Sequence, residues 1–449
     1  YLSSRDEEGQ NIEEAIACYI EIMQSMTQQN RPSDQALAAY HLASTYMQRV
    51  KGEKAQNIEQ ANGFYLQAKD NFSKETMPIE WSSAACKLAD TYLRRMRGNR
   101  GQNIEKAISI YHEALPVMPR EEMPITWAEA MTGLANAYAE RVQGDRIQNI
   151  EQSIDAYHEA LQVRTREAMP IEWAQVNYNL AITYTERIQG KREQNIEKAI
   201  NAYRNALQVM TRKAMPIDWA GVMNNLGNAY FDRIQGERSQ NIEKAIDTHK
   251  QALQVRTREA MSVDWAISMM NLASAYYYRQ QGDREQNIED AIDAYHQALQ
   301  VITYQKMPTA WSMLMAALGD SYTKRIQGDR TKNIEAAINA YHQALQVISY
   351  NEHPEVWQHL VVQIALATET PPQVLFEGIR FFGDVIIYIQ QHGGEPKAIY
   401  RFLVDNFDKL NGNLLNAIPI AAPALLADSD EDGQVFMANS IGEFGDFIA

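Results

Sequence analysis

Apolar and polar positions along this 449-residue chain alternate at helical spacing, in blocks that return every 46 residues. The tripeptide Asn-Ile-Glu begins at Asn11, Asn57, Asn103, Asn149, Asn195, Asn241, Asn287 and Asn333. Residues 215–257 show one block in full. Pro216 suits the first turn of a helix, where a missing N–H costs nothing, and Trp219, Leu226 and Tyr230 follow at helical spacing up to Ile234. This is helix A. Gly236 and the polar residues after it break the pattern, Asn241 reads as an N-cap, and Glu243 places negative charge near a helix N-terminus. Ala245, His249, Ala252 and Leu253 then form the apolar stripe of helix B. One such pair is too small to bury both faces, so stacked neighbours must complete the core. The pattern therefore predicts an all-α solenoid. A lone helix B at residues 11–26, seven A–B pairs and a final helix A at 356–367 should stack as antiparallel pairs into a right-handed superhelix.

Three further columns keep the same register: Trp81 to Trp357, Arg49 to Arg325 and Gly52 to Gly328. Arg233 is expected to bond a neighbouring carboxylate or a helix-end carbonyl, and Gly236 to adopt positive φ after helix A. Leu226-Gly227-Asn228-Ala229-Tyr230, then Ala245, His249 and Ala252-Leu253, resemble the tetratricopeptide pattern L-G-x-x-Y followed by A-x-x-x-F/Y-x-x-A. The likeness covers about residues 1–370. The unit is longer than the 34 residues of that pattern: Leu226 to Ala245 and Leu253 to Leu272 each span 19 steps. The extra residues should lengthen the helices and the A–B connection. Trp219, one turn early, should anchor helix A on the preceding helix B.

The runs Met169 to Trp173 and Gly282 to Glu289 are similar to the arrays of large cyanobacterial proteins carrying a CHAT caspase-like peptidase domain. Asp405-Asn406-Phe407-Asp408-Lys409-Leu410 and Ile441-Gly442-Glu443-Phe444 resemble a helical segment that interrupts those arrays. That likeness implies a regulatory or sensor region of a larger peptidase, whose catalytic His and Cys have no counterpart here. Pro371-Pro372 mark a boundary, and residues 371–449 read as an acidic helical cap or spacer, with helices at 373–391 and 397–410.

Composition narrows the function. With 42 basic and 57 acidic residues the net charge is −15, and the bases are spread among acids, which argues against nucleic acid. Cys18 and Cys86 form no disulfide framework and fit a reducing cytoplasm. No apolar run reaches the roughly 20 residues of a membrane helix, the first residues do not read as a signal peptide, and Tyr1, which is no initiator residue, suits a fragment's start. No catalytic constellation or cofactor motif emerges, so a non-enzymatic scaffold without cofactor is expected, with a protein or peptide partner. Self-association through the open array ends is the further partner this architecture allows.

Columns that vary between units point to a binding surface, because packing does not fix them. Two before the helix A Leu, two after it and five to six after it, they supply Tyr178, Ile182, Glu186, Asn224, Asn228, Phe231, Asp232, Met270, Ser274, Tyr277 and Tyr278. Outer units add Asp90, Arg94, Asn136, Glu140, Asp320 and Lys324. In tetratricopeptide arrays the matching positions line a concave groove, where aromatic and amide groups could hold an extended peptide; the competing reading is inter-repeat packing. His112, His158, His296 and His342 share a helix B column that reads as surface or groove edge, one repeat apart being too far for a shared metal. Asp428, Asp430 and Asp432, before Gly433, start like a calcium loop, but Asn439 stands where the bidentate Glu belongs, so an acidic solvated loop competes with a weak calcium site.

Overall fold

The computed structural model describes residues 2–348 and 353–368, and all sixteen of its described elements are α-helices. A lone α1 (Leu2–Gln28) precedes seven pairs: α2 (Pro32–Gln48) with α3 (Lys54–Asn71), α4 (Pro78–Arg94) with α5 (Arg100–Ala114), and α6 (Pro124–Glu140) with α7 (Arg146–Leu161). The pairs continue as α8 (Pro170–Glu186) with α9 (Arg192–Leu207), α10 (Pro216–Phe231) with α11 (Arg238–Leu253), α12 (Ser262–Tyr277) with α13 (Arg284–Leu299), and α14 (Pro308–Lys324) with α15 (Arg330–Leu345). The last described helix is α16 (Pro354–Ala367). Even numbers are helix A and odd numbers helix B, and the fold is a tetratricopeptide-like α-solenoid. It divides into two compact units, 1–235 and 236–449. The expected boundary at 371–372, the acidic segment and the calcium-like loop at Asp428, Asp430 and Asp432 lie outside the described residues.

Helix A opens on a Met from α4 to α14, on Arg31 in α2 and on His353 in α16, with Pro at the first helical position in all but α12, where Ser262 takes its place. Helix A stops at the Arg column, or one residue before it in α10 and α12, and the next glycines carry φ between +78° and +83° from Gly52 through Gly328, as the glycine column predicts. A side chain there would sit in the left-handed region, which costs roughly 1–2 kcal/mol.

The asparagine column corrects the sequence reading. Asn241 does not cap its helix: the cap is Glu237 and α11 already begins at Arg238. The caps proper are residues such as Asp145, whose carboxylate accepts from Ile147 N–H at 2.9 Å, and Asn99, which accepts from Gln102 N–H at 3.0 Å. The column asparagine lies one turn inside the helix, buried, and staples the A–B turn. Asn195 donates to the carbonyls of Arg187 and Gln189 at 3.1 and 3.0 Å, so carbonyls left over by the end of helix A are satisfied without water.

The arginine column behaves as expected. Arg141 closes side-on onto Glu105, Nε to Oε1 at 2.8 Å and Nη2 to Oε2 at 2.7 Å. The same bridge joins Arg49 to Glu13, Arg95 to Glu59, Arg187 to Glu151, Arg233 to Glu197, Arg279 to Glu243 and Arg325 to Glu289. The Glu of the first seven Asn-Ile-Glu runs is thus a tie to the next helix A. Hydrogen bonding from the guanidinium holds Glu13, Glu59 and Glu105 below the ordinary carboxylate range.

The longer of the two connections is B to A, as in residues 162–169, against 141–145 for A to B. The extra residues thus fall in the B–A link as well as in the helices and the A–B turn. Thr165, Thr211 and Thr257 each accept an N–H three residues on, which tightens this longer link. The column tryptophans sit beside it, Trp127 under Arg120 at 4.4 Å and Trp81 under Lys74 at 4.7 Å.

Small residues let helices approach. Ala128, Ala135 and Ala160 are fully buried, and Tyr111, Tyr157, Tyr203, Tyr295 and Tyr341 of helix B are the largest side chains sealed among them.

Candidate functional site: the helix A face

Within the first unit, successive A helices touch one another as well as their B partners. They make a layer on which α6, α8 and α10 present two adjoining clefts. One, of about 310 Å³, is lined by Asn136, Ala139, Glu140, Tyr157, Asn179, Ile182, Thr183 and Glu186. The other, of about 250 Å³, is lined by Ile182, Thr185, Arg192, Tyr203, Asn225, Asn228, Ala229 and Asp232. Ile182 belongs to both.

The structure therefore brings together Ile182, Glu186, Asn228 and Asp232 of the expected site, with Asn136 and Glu140 from the outer unit. Tyr178 stands next to them, its hydroxyl accepting from Asn225 Nδ2 at 3.1 Å and its ring tilted against Tyr203. Asn224 is placed otherwise: at 3% exposure it is interior, as are Thr132 and Cys86 of the same column. Phe231 ends α10 and is half-buried. Met270, Ser274, Tyr277 and Tyr278 belong to the second unit. There Ser274 shares a hydrogen bond with Tyr295, Tyr277 packs edge-on to Tyr278 under Arg284, and Tyr278 is 53% exposed. Burial pushes the Tyr277 hydroxyl up to about 12.

The column two after the Leu has a packing duty that the sequence concealed. Tyr111 donates to Asp90 at 2.5 Å, Tyr157 to Asn136 at 2.5 Å and Tyr341 to Asp320 at 2.8 Å, while Ser44 pairs with Tyr65 at 2.8 Å. Each acceptor sits on the helix A of the same pair, so the buried phenol is satisfied from the groove side. Tyr203 is the exception. It meets Ile182, which offers no acceptor, and among the described residues its hydroxyl has no hydrogen bond. Burial raises its pKa, keeping it a neutral donor.

Acidic positions five to six after the Leu are also partly engaged. Arg146 donates to Ala139 O and Glu186 Oε2, both at 2.5 Å, and Arg192 reaches Asp232 at 3.5 Å. Arg100 bonds Leu93 O and Glu140 in the same way. The first arginine of helix B thus clamps the end of its own helix A to the end of the next. Lys324 and Arg94 close their helices, Arg94 bordering a separate cleft near Met96.

Asn179 and Asn225 were missed by the sequence reading. They stand one before the Leu, a column holding Lys87 and Gly133 elsewhere, and Asn179 donates to Asn136 Oδ1 at 3.0 Å. Their signal was available in Asn177-Tyr178-Asn179 and Asn224-Asn225, two amide-rich runs at one register.

No protein-family model matches the chain, and no curated protein matches it. Among solved structures it is similar to the apo form of RapI, with 12% identity, 92% of this chain and 97% of that one covered, and a TM-score of 0.46. A Rap protein complexed with competence and sporulation factor matches at 11% identity, covering 93% and 99%, with a TM-score of 0.39. BtubC from P. vanneervenii matches at 19% identity, covering 56% and 91%, with a TM-score of 0.40. The fold assignment rests on the helix pairs themselves.

The histidine column is a set of ties between repeats rather than a free edge. His112, His158 and His296 pair through Nε2 with the hydroxyls of Tyr138, Tyr184 and Tyr322 at 2.6, 2.9 and 2.9 Å. Arg204 donates to Tyr230 at 2.9 Å in the same position. His342 has Thr368 at the matching position, and its Nε2 is buried without a partner. Among the described residues no group of His, Cys, Asp and Glu could hold a metal ion, and no helix is long and apolar enough to cross a membrane. Cys86 is buried, which pushes its thiol pKa up, away from nucleophilic use.

Proposed function

We propose that the chain is a non-catalytic interaction scaffold, and that it holds an extended peptide segment of a partner protein along the helix A face of α6, α8 and α10. The observation that carries this reading is Tyr203. A phenol at the bottom of an open cleft, without a protein acceptor, is a polar group waiting for a ligand oxygen. A peptide backbone supplies one carbonyl per residue. Asn136, Asn179 and Asn225 flank that point with amide groups, and Ile182 between the two clefts gives an apolar side chain somewhere to rest. Framework columns build the surface, and these variable ones give it character.

The test is selection of a displayed random-peptide library on the purified chain, followed by titration of the enriched peptides against wild type and Tyr203→Phe. Losing one hydrogen bond of about 1 kcal/mol should weaken binding roughly five-fold. Equal affinity of both proteins for every enriched peptide would remove Tyr203 from the site.

A second reading follows from the likeness of the Met169–Trp173 and Gly282–Glu289 runs to CHAT-associated arrays. In it, the same face reports the bound segment to a peptidase domain elsewhere in a longer protein. Sequencing the gene beyond the Ala449 codon tests it: an in-frame CHAT domain supports the reading and an early stop codon ends it.

A further inference from the structure

One column remains apolar in six of seven A–B turns and is buried in none of those six. Val50, Met96, Val142, Ile188 and Ile234 follow the bridging arginine at the turn tip, with exposures of 86, 63, 83, 61 and 58%. Ile326 repeats the pattern in the second unit at 61%, and Gln280 is the single polar member. Packing within the chain does not require this. Nor is it mere copying of one residue, since valine, methionine and isoleucine alternate while apolar character persists. The next position in each turn is Lys, Arg or Gln. A solvated turn tip selects polar residues, so a row of exposed aliphatic tips marks a surface that something covers.

Two of the tips border recesses. Met96 borders a cleft of about 400 Å³ that also reaches Ile58, and Val142 borders one of about 500 Å³ that also reaches Ile104. In both, the isoleucine is the one from Asn-Ile-Glu of the preceding helix B, so tip and recess share the 46-residue step. A partner that fits must repeat at that same step. A second copy of this chain does so by construction, and turned antiparallel it brings its aliphatic tips to the recesses beside Met96 and Val142. Charge permits this here. The chain carries −15 overall, but this edge holds both signs, Lys51, Arg97 and Lys191 beside Glu53 and Glu237. A strip of mixed sign faces its reversed copy without the repulsion that net charge imposes on the rest of the surface.

We infer that the row of A–B turn tips from Val50 to Ile234 is a self-association surface, on which two copies pack antiparallel, each inserting its aliphatic tips into the other's recesses. This surface differs from the array ends and from the peptide-binding face.

Sedimentation equilibrium of the full chain from 1 to 100 µM tests it, using wild type, Val142→Glu/Ile188→Glu, and Ile171→Glu/Ile217→Glu as a control. The control pair is 55 and 61% exposed and lies at the start of helix A, away from these turns. The expected result is a wild-type dimer, a control that dimerises alike, and a turn-tip variant that is monomeric over the range, at least ten-fold weaker in association. Circular dichroism melts of all three should coincide, because the replaced side chains contribute little to the core. A monomeric wild type at 100 µM overturns the inference. So does a turn-tip variant that remains dimeric, which would place self-association at the array ends, and so does a control that loses the dimer equally.

Discussion

Position 249 is histidine where every other helix B, from Tyr19 to Tyr341, has tyrosine, and it is 1% exposed with no hydrogen bond at Nδ1. Burial holds its pKa down to about 4, with the Arg256 charge acting in the same direction. The unfolded chain leaves it near 6.5. Because the folded value is the lower one, the neutral ring is the form that folds. Stability from this site is complete above pH 6.5 and falls as pH drops toward 4, by roughly 3 kcal/mol in full. His249→Tyr removes the titrating group and restores the residue the other units use. Amide hydrogen exchange in α11 and α13 should then change little between pH 7 and pH 5, after correction for intrinsic rates, whereas wild type should open measurably more at pH 5. An identical pH dependence in the two proteins would show that His249 is not the source.

At the scale of helix pairs, close approach decides which glycines matter. A Cβ on Gly133 of α6 would lie 2.1 Å from the Tyr111 hydroxyl, and one on Gly319 of α14 would lie 2.5 Å from the Tyr341 ring. Gly63 in α3 has nothing within 4 Å. Gly133→Ala should therefore destabilise by about 1–3 kcal/mol through overpacking, while Gly63→Ala should stabilise by about 0.5–1 kcal/mol through helix propensity. Urea unfolding of the two variants checks the contrast, and equal signs would contradict it. These pairs also show what the sequence could and could not reveal. Spacing alone located the described A and B helices, the glycines of positive φ and the arginine that seeks a carboxylate, because each depends on residues fixed in one register. It misread Asn241, since an asparagine near a helix start suits a cap and a turn staple equally, and only the true start at Arg238 separates them. For Asp90, Asn136 and Ser274 it left groove and packing roles both open. The partner of each is a tyrosine 21 residues later on another helix, which no local pattern reveals.

For the molecule as a whole, the division is between columns that build and columns that differ. The Glu–Arg bridges, the stapled turns and the tyrosine–helix A hydrogen bonds recur from pair to pair, so they set neighbours in register without selecting a ligand. Ile182 breaks that rule: it leaves Tyr203 unsatisfied and sits where two clefts meet. Affinity of a library-selected peptide, read by fluorescence anisotropy on wild type, Ile182→Glu and Ile217→Glu, is the most direct test of peptide holding at this face. A charge on the half-buried shared wall should weaken binding at least ten-fold, while glutamate at the exposed position 217 should leave it within two-fold of wild type. Undiminished binding to Ile182→Glu, with the variant melting as wild type does, would contradict the account.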